Sequence, residues 1–247
     1  MNAVETKDLT KKYKNKTAVS NLTLTIREGE LFALLGVNGA GKTTTIRMLS
    51  CLSKPTAGEC YVCGHDCSTE QSAVKEIVGI SPQDTAVAEN LTVLENMRLI
   101  CGIYGYSPEK TKQRIEEMKK LFKMNDVLNS RAKTLSGGWK RKLSIAMALI
   151  AEPKVLFLDE PTLGLDVLAR RELWNVLAEL KGKITIVLTT HYMEEAEALS
   201  DRIAIMIDGG LAALGTLSEL EAQSGENGLE NTFVKIASQF GKGIKNE

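Results

Sequence analysis

Gly36-Val37-Asn38-Gly39-Ala40-Gly41-Lys42-Thr43 contains the residue types and spacing of a phosphate-binding loop. Glycines at 36, 39 and 41 let the backbone fold around a phosphate and turn its N–H groups inward. A helix beginning at Lys42 adds the positive potential of its N-terminus. Lys42 is placed to reach the β- and γ-phosphates of a nucleotide, and Thr43 to hold Mg²⁺. Asn38, Ala40 and Thr44 belong to the same nucleotide-binding run.

Further clusters fit the same chemistry. Val155-Leu156-Phe157-Leu158 ends in Asp159-Glu160. Alternation along a strand sends the two carboxylates to opposite sides, so Asp159 can support the Mg²⁺ shell while Glu160 faces an attacking water. His191 follows the apolar run Ile186-Val187-Leu188 and two threonines. Its imidazole can donate to a γ-phosphate and orient that water. Ser136-Gly137-Gly138 opens another helix, taken to start near Lys140, and forms a second anion site. One chain binding one nucleotide has no need of two such sites. Two chains stacked head to tail need both, each nucleotide lying between the loop of one and the Ser136 segment of the other.

These residues require a particular scaffold. Leu31 to Leu35, Val155 to Leu158 and Ile184 to Leu188 are apolar on both faces, the pattern of strands in a parallel sheet covered on each side. Helical spacing follows at Lys42 to Leu49 and at Leu173, Val176, Leu177 and Leu180, before Gly182. Such α/β sheets bind ligands at the carboxyl ends of their strands, where all the motifs above lie. Leu22, Leu24 and Ile26 alternate as a half-buried strand, and Ile203 to Leu214 turns at Asp208-Gly209-Gly210 as a hairpin. Leu91 to Ile150 is mostly helical, with Ser107-Pro108 as a helix start and Ile115, Met118, Leu121 and Phe122 as one apolar face. Beyond Gly215 no strong period is seen.

Composition narrows the partners. Lys plus Arg and Asp plus Glu each number 31 in 247 residues, so no global charge draws the chain to nucleic acid or to an anionic bilayer. No apolar run approaches a membrane span, and the first residues lack a secretory pattern. Five cysteines, an odd number, fit reduced thiols. Cys60, Cys63, His65 and Cys67 are crowded enough for zinc, but the odd separation of Cys60 and Cys63 puts them on opposite faces of a strand.

Taken together, these motifs resemble the ATP-binding cassette (ABC) ATPase family, in particular the nucleotide-binding subunit of a transporter. The likeness runs from Val4 to about Gly215. Leu135 to Gly138 is similar to the family signature, Gln83 to the Q-loop glutamine, Leu163-Gly164-Leu165-Asp166 to the D-loop, and His191 to the switch histidine. Tyr13 sits where the family places an aromatic on adenine. The resemblance implies a P-loop NTPase (RecA-like) α/β core with an N-terminal antiparallel β subdomain and an inserted helical subdomain near 88–150. The cassette spans 1–215 and a C-terminal extension 216–247.

It also implies ATP and Mg²⁺, with Thr43, Gln83 and Asp159 at the metal and with Glu160, His191, Lys42 and Gln83 acting in hydrolysis. Ser136, Gly137, Gly138 and Asp166 then act in trans, across a homodimer or heterodimer. The implied partner is a separate transmembrane permease, not nucleic acid, with the chain on the cytoplasmic face of the membrane and its permease docked near Gln83 to Met97. The cysteine segment becomes a hairpin without metal. Trp139 stands where the family usually has Gln, and Leu163 where Ser is common. Residues 190–204 and Glu230-Asn231-Thr232-Phe233-Val234 are similar to the drug-resistance and antibiotic-export branch. The alternative is a soluble ABC ATPase of DNA repair or translation. The short interval between Gln83 and Ser136 has no heptads for the coiled coil of repair types, and translation types usually join two cassettes.

Overall fold

The computed structural model describes residues 1–243, so part of the expected extension, 244–247, lies outside the described residues. In chain order the elements are β1 (Asn2–Tyr13), β2 (Lys16–Arg27), β3 (Leu31–Leu35), α1 (Lys42–Leu49), β4 (Ala57–Val62), β5 (His65–Asp66), α2 (Gln71–Ile77) and β6 (Val78–Ser81). Helices α3 (Val93–Ile103), α4 (Pro108–Leu121) and α5 (Gly137–Ile150) come next. The chain continues through β7 (Val155–Asp159), α6 (Val167–Leu180), β8 (Thr185–Thr190), α7 (Met193–Leu199), β9 (Arg202–Ile207), β10 (Gly210–Gly215), α8 (Leu217–Ser224) and α9 (Leu229–Gly243).

A sheet of order β10-β9-β3-β8-β7-β6 carries the core. Its strands are parallel from β9 to β6, and only β10 runs against its neighbour. In β3, Leu31, Ala33 and Leu35 enter one apolar cluster while Phe32 and Leu34 enter the other. Burial on both faces is why this strand has no polar position. Leu35 pairs with Thr190, and Asp159 with Thr189. That register brings the carboxyl ends of β3, β7 and β8 level, so Gly36, Glu160 and His191 emerge side by side.

An antiparallel sheet of order β2-β1-β4-β5 packs over one face. β1 escapes a period-2 reading because repeated register shifts against β2 break its alternation. The cysteine segment is the β4–β5 hairpin. Cys63 lies in its turn at φ 48 rather than in a strand, and His65 Nδ1 contacts Glu70 at 3.1 Å. Cys60 and Cys67 are both buried. The Cys67 thiol is held well above its ordinary range, first by its hydrogen bond with Cys60 and then by burial.

Other expectations need correction. α5 begins at Gly137, not near Lys140: Ser136 is its N-cap, its Oγ accepting from Trp139 N at 3.4 Å. Two glycines are poor helix formers and read as loop, but they occupy the first turn, where N–H groups have no intrahelical partner. The residues beyond Gly215 form α8 and α9. Thr216 and Glu219 make a reciprocal capping box that starts α8. Leu229, Phe233 and Ile236 give α9 a buried stripe. Helix α2, short and with a single buried residue, Val74, also went unseen.

Within the helical region α4 is tied to α5 by Arg114, which is 8% exposed. Its Nη2 donates to Leu149 O at 2.7 Å and its Nε to Ile150 O at 3.1 Å, satisfying carbonyls at the C-terminus of α5. Arg114→Met removes the Arg114 partner of Ile150 O, while Leu149 O keeps Glu152 N at 3.1 Å, and it is expected to lower stability by about 2 kcal/mol in chemical denaturation.

Candidate active site

The loop after β3 closes around its own backbone. Gly41 has φ +97, and a Cβ there would lie 2.4 Å from Ala18 O. A Cβ on Gly36 would lie 2.5 Å from Met206 O. Neither position admits a side chain: Gly36 is required by space, and Gly41 by space and by dihedral. Lys42, 5% exposed, donates from Nζ to Gly36 O at 2.6 Å and to Val37 O at 3.3 Å. The first turn of α1 then presents Thr43, whose Oγ1 donates to Asp159 Oδ1 at 2.9 Å. Thr189 Oγ1 donates to the same oxygen at 2.5 Å.

Strand β7 ends at Asp159, so alternation does not place Glu160. Instead Glu160 has φ 48, a left-handed conformation uncommon for a side-chain-bearing residue. Two bonds hold it there: Glu160 N donates to Thr189 O at 3.2 Å and to Thr189 Oγ1 at 3.0 Å. The turn swings the carboxylate to Lys42 Nζ at 3.2 Å and to His191 Nδ1 at 2.8 Å. Asp159 and Glu160 thus take different directions, as expected, but through a strained turn rather than through the pleat.

Tyr13, Asn38, Gly39, Ala40, Gly41, Lys42, Thr43, Thr44, Gln83, Glu160 and His191 line one cleft of about 520 Å³. Tyr13 stands at its rim, 45% exposed, with its ring available for stacking. Gln83 is brought in by α5: Arg141 Nη1 donates to Pro82 O at 2.6 Å and its other Nη to Gln83 O. Leu163 of the D-loop-like segment also lines the cleft, as do Lys16 and Ala18, which carry no motif signal. Thr189 was missed as well. A threonine at the end of an apolar strand has no distinctive spacing, yet it fixes both carboxylate residues.

Ser136, Gly137, Gly138 and Asp166 do not line this cleft. Ser136 and Gly137 are exposed. Asp166 is the N-cap of α6, its Oδ1 accepting from Ala169 N at 2.9 Å. A Cβ on Gly138 would meet Ala169 Cβ at 3.2 Å, so the signature and the segment 163–166 are neighbours on one open face. Trp139 turns away from that face. Its ring lies 4.5 Å from Lys142 Nζ and lines a cleft with Phe122 and Val176. The indole is therefore a packing residue between α4 and α6.

The family model for ABC transporters matches residues 19–163, more than half of the chain. The chain belongs to the ABC transporter family. The daunorubicin/doxorubicin resistance ATP-binding protein DrrA of Streptomyces peucetius is 40% identical over 91% of this chain and 68% of its own length. The human phospholipid-transporting ATPase ABCA3 is 44% identical over 90% of this chain, which spans only 13% of that protein. Among solved structures, an ATP-binding subunit of an ABC transporter superposes with TM-score 0.86 at 32% identity, covering 95% of this chain and 99% of that one. The ABC cassette MJ0796, dimeric in a post-hydrolysis state with ADP and Pi, superposes with TM-score 0.78 at 30% identity over 87% of this chain and 98% of its own. The fold is that of ABC ATPase cassettes, an α/β nucleotide-binding core with an antiparallel β subdomain and a helical region. Among the described residues no helix is long and apolar enough to cross a membrane.

Proposed function

We propose that this chain binds and hydrolyses ATP and so powers a membrane ABC exporter, through closure of a dimer around the nucleotide. The observation that carries this reading is the convergence of Lys42, Glu160 and His191 at three adjacent strand ends, beside Thr43 and Asp159. In this reading residues 1–215 are the cassette, with 88–150 as its helical subdomain, and 216–247 are an appended extension. Tyr13 stacks on adenine, and N–H groups of the 37–44 run hold the phosphates, those of Gly36 and Ala40 being given to Thr190 O and Val37 O.

The oxygen-rich set Thr43, Asp159 and Gln83 suits Mg²⁺, a hard cation, and these residues would hold it. When bound, the metal neutralises charge on the phosphate oxygens. Lys42 neutralises further charge on the β- and γ-phosphates. Glu160 takes a proton from the attacking water, and His191 holds the Glu160 carboxylate in place through their 2.8 Å contact. Phosphate draws Lys42 away from Glu160 and leaves that carboxylate free for water. Phosphoryl transfer of this kind rests on positioning and charge.

The second half of each site comes from a neighbour, a copy or a relative, through Ser136, Gly137, Gly138 and Asp166. The exposure of Ser136, Gly137 and Asp166 supports this, as does the dimeric state of MJ0796. A permease docks on the α3 side. Leu52 (57% exposed), Leu99 (46%), Ile103 (69%) and Tyr104 (42%) are apolar and open to solvent there. Met97 is fully buried, so this groove extends past Met97 along α3 rather than stopping there. The drug-resistance role in DrrA's name and the phospholipid-transporting role in ABCA3's favour export over DNA repair or translation. The chain then resides on the cytoplasmic face of the membrane. Isolated from detergent-solubilised membranes, it is expected to bring down an integral-membrane polypeptide in stoichiometric amount, and Ile103→Asp is expected to release it. Recovery of the chain only from the soluble fraction, without a membrane companion, contradicts the export reading.

A further inference from the structure

Glu195, on α7, is fully buried, and it has no part in the hydrolysis described above. Its carboxyl reaches three segments. Oε1 accepts from Trp174 Nε1 of α6 at 3.3 Å. The hydroxyls of Thr190 and Thr162 lie beside it. Thr190 immediately precedes His191, and Thr162 lies two residues after Glu160. One side chain therefore spans the two loops that carry the reacting pair.

Two polar atoms at this junction are unsatisfied. Glu195 Oε2 and Thr162 Oγ1 are both buried without a hydrogen bond. Leaving both unpaired is costly, and a small shift of the 160–166 turn lets each satisfy the other. We propose that Glu195 is a positioning residue whose carboxyl latches the 160–166 turn to the end of β8, and so sets how His191 meets Glu160. The inference rests on Glu160 being the general base. The turn also carries Leu163 of the cleft and Asp166 on the open face, so the latch relays movement of that face to His191.

Burial favours the neutral form of the carboxyl at this latch. Burial pushes the Glu195 carboxyl above the ordinary carboxylate range. The hydroxyls of Thr190 and Thr162 and the Trp174 indole oppose that rise, and the charge of Glu160 adds to it. Arg141 is near enough for the Glu195 charge to act on it. A protonated carboxyl accepts from Trp174 and donates to Thr162 Oγ1, which a carboxylate cannot do. Glutamine has the same shape and the same donor–acceptor pair.

The test uses the purified full chain, measuring steady-state ATP turnover with Mg²⁺ alongside nucleotide binding. Glu195→Ala and Thr162→Val are each expected to lower kcat about tenfold, with KM within about twofold, because the reacting pair is misplaced while the nucleotide grip is untouched. The double variant is expected to be no worse than the poorer single one, the signature of one shared contact. Glu195→Gln and Thr162→Ser are expected to stay within about threefold of wild type. Full kcat in Glu195→Ala, equal damage in Glu195→Gln and Glu195→Ala, or additive losses in the double variant each overturn the latch. If Glu195→Ala no longer binds ATP, Thr162→Val decides: a tenfold kcat loss supports the latch and full kcat overturns it. A wild-type chain without turnover overturns the hydrolase reading and this inference with it, whereas active variants of an active wild type overturn only the latch.

Discussion

Glu160→Gln is expected to keep ATP binding and to lower turnover by about a thousandfold, the range lost when a general base is removed. The amide is isosteric and retains an oxygen to face Lys42, now at 3.2 Å, and a polar group to face His191, now at 2.8 Å. The backbone turn at φ 48 rests on Thr189, not on the side chain, so the loop keeps its shape. Only proton acceptance is lost. A phosphate-release assay at saturating ATP measures the effect, with nucleotide binding in parallel. Turnover within a few-fold of wild type rejects Glu160 as the base.

Gly137→Asp separates the seam from the fold. Gly137 is exposed at the first position of α5, and a Cβ there meets nothing within 4 Å. An aspartate in a first helical turn complements the helix dipole and contributes about 0.3–1 kcal/mol of stability. The isolated chain is therefore expected to melt at the wild-type temperature or slightly above it. Turnover is nonetheless expected to fall by about a hundredfold, because the new carboxylate opposes a neighbour's phosphates, and facing like charges cost several kcal/mol. ATP binding to the same chain's own loop is expected to change little. A variant that is both stable and fully active removes Gly137 from the nucleotide's surroundings.

Much of this site was legible from the sequence because its chemistry is local. The 36–43 loop needs spaced glycines, at 36, 39 and 41, before a lysine, and the strand leading into it has no polar residue. The ends of β7 and β8 were equally plain, since each closes an apolar run with polar residues, Asp159 in β7 and Thr189 and Thr190 in β8. What escaped was non-local or irregular. β1 is bulged, so its alternation slips. The left-handed turn at Glu160 depends on Thr189 of another strand. α5 begins on glycines whose poor propensity hides a capped first turn. Thr216 and Glu219 did announce α8, but a capping box is easily passed over in a polar stretch. Trp139 illustrates the remaining gap: its departure from the usual glutamine was visible, whereas its packing toward Phe122 and Val176 required α4 and α6 to be in place.

The claim on which the rest depends is that two subunits close on one nucleotide, and light scattering of the Glu160→Gln chain measures it most directly. Without nucleotide the chain is expected to run at its monomer mass of 27.0 kDa. With ATP and Mg²⁺ it is expected to run at twice that mass, and to return to monomer when Gly137→Asp is added. A single monomeric mass at saturating ATP, with nucleotide demonstrably bound, contradicts the account.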